Sequence, residues 1–507
     1  MTTSCTNAKP GGYMTVYLAL TVTVIIALCL ALIEGCRYRG ISLETECVMD
    51  IGMDSILAEY HRELQKQYNL FAIDCSYGSD NASTEQTESH LLDYMNRNFS
   101  LEDVFLEKLL YRDFFAIQAE EAQMTKAAFL TDGEGEVFRR LAVNAMEDTV
   151  GIGLIQQVTD WLQTIESRGL EQQDIAGQKQ RIDEKIREYD GKKTAEGKTI
   201  HVENPTAALE EKRNSGLLKL VLKEDEISSR KIEPDTLWEA RVERGEINRG
   251  NLTLEESGRW QNLEEKVFFH EYLLEYLGRY GQEKQESPLW YQTEYVIMGR
   301  NNDRENLKGV VNRIFIIREA ANTVYLMGSG EKYAIAEALG EVLAAAMMVP
   351  EIAGLLTAAL ILGWAFAESV YDVKAILAGE KIPLLKDDTT WHYGLSAALQ
   401  GESSVSAEEA QETQGMSYED YLRVFLLLGE EKTITYRTMN MVEQDIRNTP
   451  GNRNFRLDAC IVEIAMNVKV RSKYGYSFEI ERQKSYIASL EAEENPGGRK
   501  TMKQEGR

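Results

Sequence analysis

The sequence predicts a mainly α-helical protein with a small β part (α+β), attached to a membrane by one N-terminal helix. Three patterns support this prediction. Residues 13–33 contain no charged side chain, most of the remaining chain repeats its apolar residues every three or four positions, and apolar and polar residues alternate from Cys460 onward. Because the 507 residues include only 8 Pro and no long Gly/Ser linker, we expect one elongated body after the helix.

The apolar segment 13–33 has the length of a transmembrane helix. At about 1.5 Å per residue it reaches about 30 Å, the thickness of the hydrocarbon core of a bilayer, and Glu34, Arg37 and Arg39 end it. A cleaved signal peptide has a shorter apolar region of about 7–15 residues and a small-residue cleavage site, and this segment has neither. A lipoprotein signal is the other alternative, because Cys36 stands close to a lipid-attachment pattern, but Glu34 fits that pattern poorly. We therefore predict an uncleaved transmembrane helix.

The charges beside this helix do not fix its orientation. Lys9 and the N-terminal amine lie before it, and Arg37 and Arg39 lie after it, so the positive-inside bias is nearly balanced. A short tail, residues 1–12, before a large acidic body is typical of a signal anchor. We expect a cytoplasmic tail and a single-pass protein of the cell membrane, with its body, residues 68–490, on the extracellular face.

A second apolar stretch, residues 342–367, is interrupted by Pro350 and Glu351. A span that includes both would place a carboxylate in hydrocarbon at a cost of about 2.5–3.5 kcal/mol, and the uninterrupted part, residues 352–367, is short for a span. We expect a buried helix or a helical hairpin here. The alternative, a second span, would return the C-terminal third of the chain to the other side of the membrane.

Between these two stretches the pattern is mostly helical. The helical spacing continues beyond the anchor through an amphipathic stalk, residues 34–67, and a short strand is predicted at residues 68–73. Residues 91–129 again show a helical pattern. Apolar positions among dense charges predict a projecting helical hairpin arm at residues 155–190.

Later elements have clearer end signals. Asn302 or Asp303 is the predicted cap of one helix, and Ser417 with Asp420 forms a predicted capping pair before an apolar run. Near the C-terminus the alternation predicts a half-buried β-hairpin, residues 457–483, that pairs with the early strand. Residues 491–507 are polar and are predicted to be disordered.

The composition and motifs exclude several functions. The chain has 82 acidic and 56 basic residues, a formal net charge of −26, whereas nucleic-acid binding requires clustered positive charge. The histidines lack zinc-ligand spacing, and the chain has no Gly-x-Ser-x-Gly elbow, Cys-x-x-Cys pair or calcium loop. We therefore expect no catalytic residue, cofactor, metal or small-molecule ligand. Cys75 and Cys460 are a candidate disulfide among the few cysteines beyond the anchor.

One face of the anchor carries small and hydroxylated residues at i, i+4 spacing, namely Thr15, Ala19, Thr23 and Ala27. Such a face permits a partner helix to approach closely within the membrane. Plain lipid anchoring is the alternative.

Three stretches carry a resemblance to a known family: residues 55–74 (SILAEYHRELQKQYNLFAID), 291–315 (YQTEYVIMGRNNDRENLKGVVNRIF) and 363–386 (GWAFAESVYDVKAILAGEKIPLLK). They resemble an uncharacterised family of single-pass membrane proteins from Gram-positive bacteria. The N-terminus, Gly12-Tyr13-Met14-Thr15-Val16 leading into the apolar helix, is similar to the TadE and TadG proteins of tight-adherence (Flp-type) pili. That resemblance implies a role in a type IV-like pilus or secretion apparatus. The chain departs from true pilins, because the apolar segment lacks the acid that prepilins carry at the fifth mature position, so prepilin-type processing is not expected.

Two functional classes follow. The first is a non-enzymatic, membrane-anchored surface component, a structural or assembly factor of such an apparatus, with partner helices in the membrane and protein partners for the acidic body. The alternative is a membrane-tethered extracellular hydrolase or ligand-binding sensor whose site is made of scattered acids. A deep pocket of convergent carboxylates would favour the second class, and an exposed apolar patch would favour the first.

Overall fold

The computed structural model describes residues 11–79, 82–100, 115–146, 152–193, 199–247, 263–400, 415–472, 480–491 and 499–503. Helices account for 66% and strands for 9%. The predicted fold class, mainly α with a small β part and a long N-terminal helix, is confirmed.

The chain begins with one long helix, α1 (Gly11–Leu57). Its N-terminal part is exposed, whereas its C-terminal part buries apolar residues at helical spacing: Ile41, Val48, Met49, Met53 and Ile56. The predicted stalk extends to residue 67, but α1 ends at Leu57 and a separate helix follows, α2 (Arg62–Tyr68). The break has a local cause, because the Nδ1 of His61 accepts the N–H of Leu64 at 3.2 Å and caps the new helix.

A five-stranded antiparallel sheet stands beside α1. Its strands are β1 (Ile73–Asp74), β2 (Ile117–Phe129), β3 (Cys460–Ser472), β4 (Ile480–Glu491) and β5 (Arg499–Lys503). The central strand, β3, pairs with β2 along one edge; along its other edge it pairs with β1 at its start and with β4 further on, and β5 pairs with β4. The structure thus has the predicted C-terminal hairpin and its pairing with an early strand, although residues 473–479 lie outside the described residues.

Four boundaries in this region differ from the sequence prediction. The second strand of the hairpin, β4, ends at Glu491 and not at residue 483. The early strand covers only Ile73–Asp74, because Tyr68 belongs to α2. Residues 117–129, predicted as helix, form β2, and residues 499–503, predicted as disordered, form β5. Strand β2 pairs with β3, more than 300 residues later, and β5 pairs with β4. In both cases pairing with another strand overrides the local preference of the segment.

Helix α3 (Thr84–Phe99) packs between α1 and the sheet. Leu91 and Met95 lie against Gly52 of α1, where a Cβ atom would come within 2.9 Å of the Leu91 side chain. Together with one face of β3, α1 and α3 enclose a core of their own. The stalk part of α1 is therefore a structural member of the body.

The rest of the body is helical. Its helices are α4 (Asp132–Asn144), α5 (Ile152–Ser167), α6 (Ile175–Arg187), α7 (Ala207–Ser215), α8 (Leu217–Val221), α9 (Trp238–Arg244), α10 (Leu263–Tyr276), α11 (Gln292–Met298), α12 (Asp303–Gly328), α13 (Gly330–Ala346), α14 (Ala353–Leu377), α15 (Leu395–Gln400), α16 (Tyr418–Leu428) and α17 (Glu431–Arg447). They surround the largest hydrophobic core, which reaches the other face of β3.

The predicted caps are confirmed at both helix starts. Asn302 accepts the N–H of Glu305 at 2.9 Å, and Ser417 with Asp420 forms a complete capping box. The two helices of the predicted arm are α5 and α6, but they lie along the body, because α5 packs on α16 and α6 packs on α14.

The second apolar stretch forms a helical hairpin. Helices α13 and α14 pack side by side, joined through a 3-10 turn at Pro350–Ile352. Helix α14 is long and apolar enough to cross a membrane, yet 72% of its apolar window is buried in the body, against 0% for the window of α1. The structure has the expected helical hairpin, and α14 is its buried helix.

Candidate functional site

The predicted packing face of the anchor is uncovered. Thr15, Ala19, Thr23 and Ala27 are all exposed on α1. The hydroxyl of Thr23 donates to the Ala19 carbonyl at 2.7 Å, so the helix itself satisfies that polar group. This face is open to lipid or to another helix.

The junction between the apolar part of α1 and the body is tightly bonded. The Nη2 of Arg37 donates to the Ser472 hydroxyl at 2.9 Å, and that hydroxyl donates to the Phe115 carbonyl at 2.5 Å. Arg37 lies one helical turn, about 6 Å, beyond the end of the apolar segment, and its side chain is buried. The sheet is therefore fixed to the helix directly beside the candidate membrane segment.

The candidate disulfide is opposed by the strand register. Asp74 pairs with Cys460, and Cys75 donates its N–H to the Ala459 carbonyl at 3.0 Å. Side chains alternate between the faces of a strand, so Cys75 faces the core beside α1 and Cys460 faces the helical core. Both thiols are free and buried. A bridge needs Cβ atoms about 4 Å apart and turned toward each other, which this register does not provide.

A buried ionic cluster lies at the C-terminal half of α14. Lys386 contacts two carboxylates of that helix, Asp372 at 2.5 Å and Glu368. Arg318 of α12 binds Asp372 at 2.8 Å. Burial would raise the pKa of Asp372, but the two cations outweigh it and hold that pKa below the usual range. Two cations and two anions, all fully buried, balance each other.

His392 extends this cluster toward the surface and creates a set of metal-ligand types. One ligand atom each of Glu368, Asp372 and His392 lie within 4.8 Å of one another, and such a set suits a divalent cation. The Lys386 ammonium already contacts both carboxylates and lies 3.5 Å from the His392 Nδ1. In the part of the chain that the structure describes, the Lys386 ammonium therefore takes the place that a metal cation would have among these three side chains. The set stabilises the packing of α14 in the body.

A cleft of about 440 Å³ opens beside α17, and Asp445 lies on its wall. The Asp445 carboxylate accepts hydrogen bonds from the Tyr68 hydroxyl at 2.5 Å, the Ser287 hydroxyl at 2.5 Å and the Gln292 amide at 2.9 Å, and it forms an ion pair with the Lys284 ammonium at 2.9 Å. Burial and this carboxylate raise the pKa of Tyr68 well above its usual value. The Asp445 carboxylate is therefore already paired within the fold, and the cleft, which Glu286 also lines, is a polar recess.

The outer face of α13 is the exposed apolar surface that the sequence analysis left open. Ile335 and Val342 are 47% and 64% exposed, and Ala334, Ala338, Ala345 and Ala346 beside them are exposed as well. The side that packs on α14 is also apolar, so α13 is hydrophobic nearly all round. A helix of that composition is ordinarily buried.

Sequence reasoning missed both the α14 cluster and the α13 face, although each has a sequence signal. Glu368 and Asp372 stand at i, i+4 spacing at the end of an apolar helix, which indicates that both face one partner. Residues 334–346 are apolar at almost every position, but the sequence does not show which side another helix covers.

Among known proteins, the likeness lies in the body. A family model described as a family of unknown function (DUF5702) matches residues 195–472, from before α7 to the end of β3. No curated protein and no solved structure matches. The matched region is more than half of the 507 residues and contains both α13 and the α14 cluster, so the chain belongs to the DUF5702 family of unknown function.

Proposed function

We propose that this chain is a non-enzymatic, membrane-anchored surface component that acts as a structural or assembly factor. The observation that carries the proposal is a pair of uncovered apolar helix surfaces, the N-terminal part of α1 and the outer face of α13. Apolar surface gains about 25 cal/mol per Å² when it leaves water. Lipid covers the first surface in this proposal, and another protein covers the second.

In this proposal α1 crosses the cell membrane once, with the short tail in the cytoplasm and the body on the extracellular face. The charge-free segment 13–33 supports the crossing, and the burial of α14 in the body supports a single span. The similarity of residues 12–16 to TadE and TadG supports a place in a type IV-like pilus or secretion apparatus. The net charge of −26 suits a body that is held off an anionic lipid surface.

The use of the buried charges supports a non-enzymatic role. A general base needs a carboxylate that is free to take a proton from a substrate. Asp372 is bound by Arg318 and Lys386, and Asp445 is bound by Lys284 and three uncharged donors. Both acids therefore already have partners within the body.

Ligand binding is a second candidate function, and the cleft beside Asp445 favours it. Amide and hydroxyl groups of Gln67, Asn448 and Thr449 line the opening together with Arg230. A small polar ligand suits such a lining. The hydrolase alternative lacks this support, because the Asp445 carboxylate is already paired with Lys284.

The proposal is tested by cross-linking the full-length chain in its own cells with an amine-reactive reagent, followed by detergent extraction and purification. We expect recovery from the membrane fraction in a complex with other surface proteins, pilus or secretion subunits among them. A Val24→Arg variant serves as the control, because a charge in the apolar segment costs about 2.5–3.5 kcal/mol and should reduce membrane recovery. Recovery of the wild-type chain in the soluble fraction, or from the membrane without any cross-linked protein, would contradict the proposal.

A further inference from the structure

We infer that the outer face of α13 is a docking surface for an amphipathic helix of a partner protein whose apolar stripe is bordered by Lys or Arg. This inference rests on the proposed assembly role and adds the chemistry of the partner. The docking face consists of Ala334, Ile335, Ala338, Val342, Ala345 and Ala346.

The two sides of α13 are distinct. Ala336, Gly340 and Ala344 are buried against α14. With 3.6 residues per turn, the docking face lies on the opposite side of the helix. Its members are all exposed, with Ile335 and Val342 as the two large side chains.

Helix α13 cannot rotate to bury the docking face. At Gly340 a Cβ atom would lie 2.5 Å from the Thr357 hydroxyl and 3.0 Å from the Thr357 backbone nitrogen, so α13 and α14 are in close backbone contact. A rotation would replace this glycine by a larger residue at the same place. The apolar surface therefore stays outward until another molecule covers it.

The shape of the docking face suits a helix. Ala338 lies between Ile335 and Val342, and Ala345 and Ala346 follow Val342. Small residues of this kind permit helix axes about 8–10 Å apart. An amphipathic helix places its own apolar residues at i, i+3, i+4 and i+7 along such a surface.

Acidic residues border the docking face and select the partner. Glu337 and Glu341, four residues apart, run along one edge, and Glu331 stands at its N-terminal end; all three are exposed. The lysine of α13, Lys332, donates to Asp388 at 2.6 Å and is engaged away from this face. A partner helix with basic residues beside its apolar stripe would therefore be complementary in charge to these acids.

The same charges disfavour the two other occupants. A second copy would bring Glu331, Glu337 and Glu341 against their own equivalents, and each chain has a net charge of −26. An anionic lipid surface would be repelled in the same way. A basic amphipathic helix meets no such repulsion.

The test uses the full-length chain in lipid nanodiscs and two fluorescent helical peptides about five turns long. Both peptides carry the same Leu/Ala stripe, and its borders are Lys in one and Glu in the other. By fluorescence anisotropy, we expect the Lys peptide to bind at least about tenfold more tightly than the Glu peptide. The Glu337→Lys/Glu341→Lys double variant should reverse that preference.

Two matched variants locate the binding. Ile335→Lys should weaken binding of the Lys peptide by about tenfold or more. Ile51→Lys is the control, because Ile51 on α1 is also 47% exposed and should leave binding unchanged. Equal binding of both peptides, or wild-type binding by Ile335→Lys, would overturn the inference.

Two further outcomes would assign the face to another occupant and would also overturn the inference. Self-association in sedimentation experiments that Ile335→Lys abolishes would identify a second copy. Quenching of a Val342→Trp reporter by brominated lipid, beyond that of the wild-type tryptophans, would identify the bilayer. If Ile335→Lys keeps the cross-linked complexes in cells, the docking inference fails while the assembly proposal stands.

Discussion

The two apolar stretches of this chain, residues 13–33 and 342–367, are treated in opposite ways by the fold. The first projects from the body with 0% of its apolar window buried, whereas the window of α14 is 72% buried. The first has no polar group that needs a partner in the body. The second leads directly into Glu368 and Asp372, which require the cations Lys386 and Arg318. In this chain, the polar residues that accompany each apolar stretch thus distinguish the exposed helix from the buried one.

Removing the cation of the α14 cluster should have the largest effect. Lys386→Met leaves Glu368 and Asp372 buried, with Arg318, which pairs with Asp372, as the remaining buried cation. Loss of one partner from a buried ionic group costs about 3–5 kcal/mol. Urea unfolding of the detergent-solubilised variant and wild-type chains measures the difference in their free energies of unfolding. Lys332→Met is the control, since its partner Asp388 is 70% exposed and an exposed ion pair contributes little to stability. Equal losses in the two variants would show that the cluster does not hold α14 in place.

A matched pair of leucines compares the two helices directly. Leu360 of α14 is fully buried and Leu20 of α1 is 62% exposed. Leu360→Ala should lower the free energy of unfolding by about 2–5 kcal/mol, whereas Leu20→Ala should change it by less than about 0.5 kcal/mol. Urea unfolding in a fixed detergent gives both values. Similar losses would mean that the apolar part of α1 also packs on the body.

The stability of the body should depend on pH, whereas membrane recovery through segment 13–33 should not. Burial raises the pKa of Glu294, on α11, to about 7 from its ordinary value of 4.5. Below about pH 4.5 the group is protonated in both states. Between pH 4.5 and 7 the unfolded chain loses this proton and the folded chain keeps it, so its contribution to the free energy of unfolding falls by roughly 3 kcal/mol.

Glu294→Gln keeps an oxygen that can accept from the Tyr418 hydroxyl and should remove this fall. Urea midpoints of the two proteins across pH 4.5 to 7.5 measure the difference, and parallel curves would contradict the assignment. Membrane recovery should not vary with pH over this range, because segment 13–33 contains no carboxylate, amine or imidazole.

The smallest expected effect distinguishes the two sides of α13. Ala344 is buried against α14, and Ala345 is exposed on the docking face. Ala344→Leu should overpack the interface and cost about 1–3 kcal/mol, while Ala345→Leu should change stability by less than about 0.5 kcal/mol. Thermal unfolding of both variants in one detergent compares them, and a loss with Ala345→Leu would show that α13 is covered on both sides by the body.

The sequence predicted what local chemistry determines. The caps at Asn302 and Ser417 and the alternation of β3 rest on neighbouring residues, and the structure has them where the pattern places them. Strand β2 was not predicted, because it exists through pairing with β3, more than 300 residues later. Cys75 and Cys460 are neighbours in the sheet, but only the register shows that they face opposite cores.

The same limit applies to the candidate surfaces. The acids of α14 are visible in the sequence, but Lys386 and Arg318 reach them from separate segments, so the closed ionic cluster depends on the tertiary fold. The apolar character of α13 is equally visible. Its exposure depends on which side α14 occupies, which follows from the close contact at Gly340.

Protease digestion of cells stripped of their wall shows whether the chain crosses the membrane once and whether the body, with α14, lies outside the cell. Mass spectrometry of the membrane-protected fragments then shows which residues lipid shields. The account predicts one protected fragment, which contains residues 13–33 with the chain's own N-terminal tail. A second protected fragment that contains α14, protection of the whole body, or a chain already cleaved near residue 33 would contradict it.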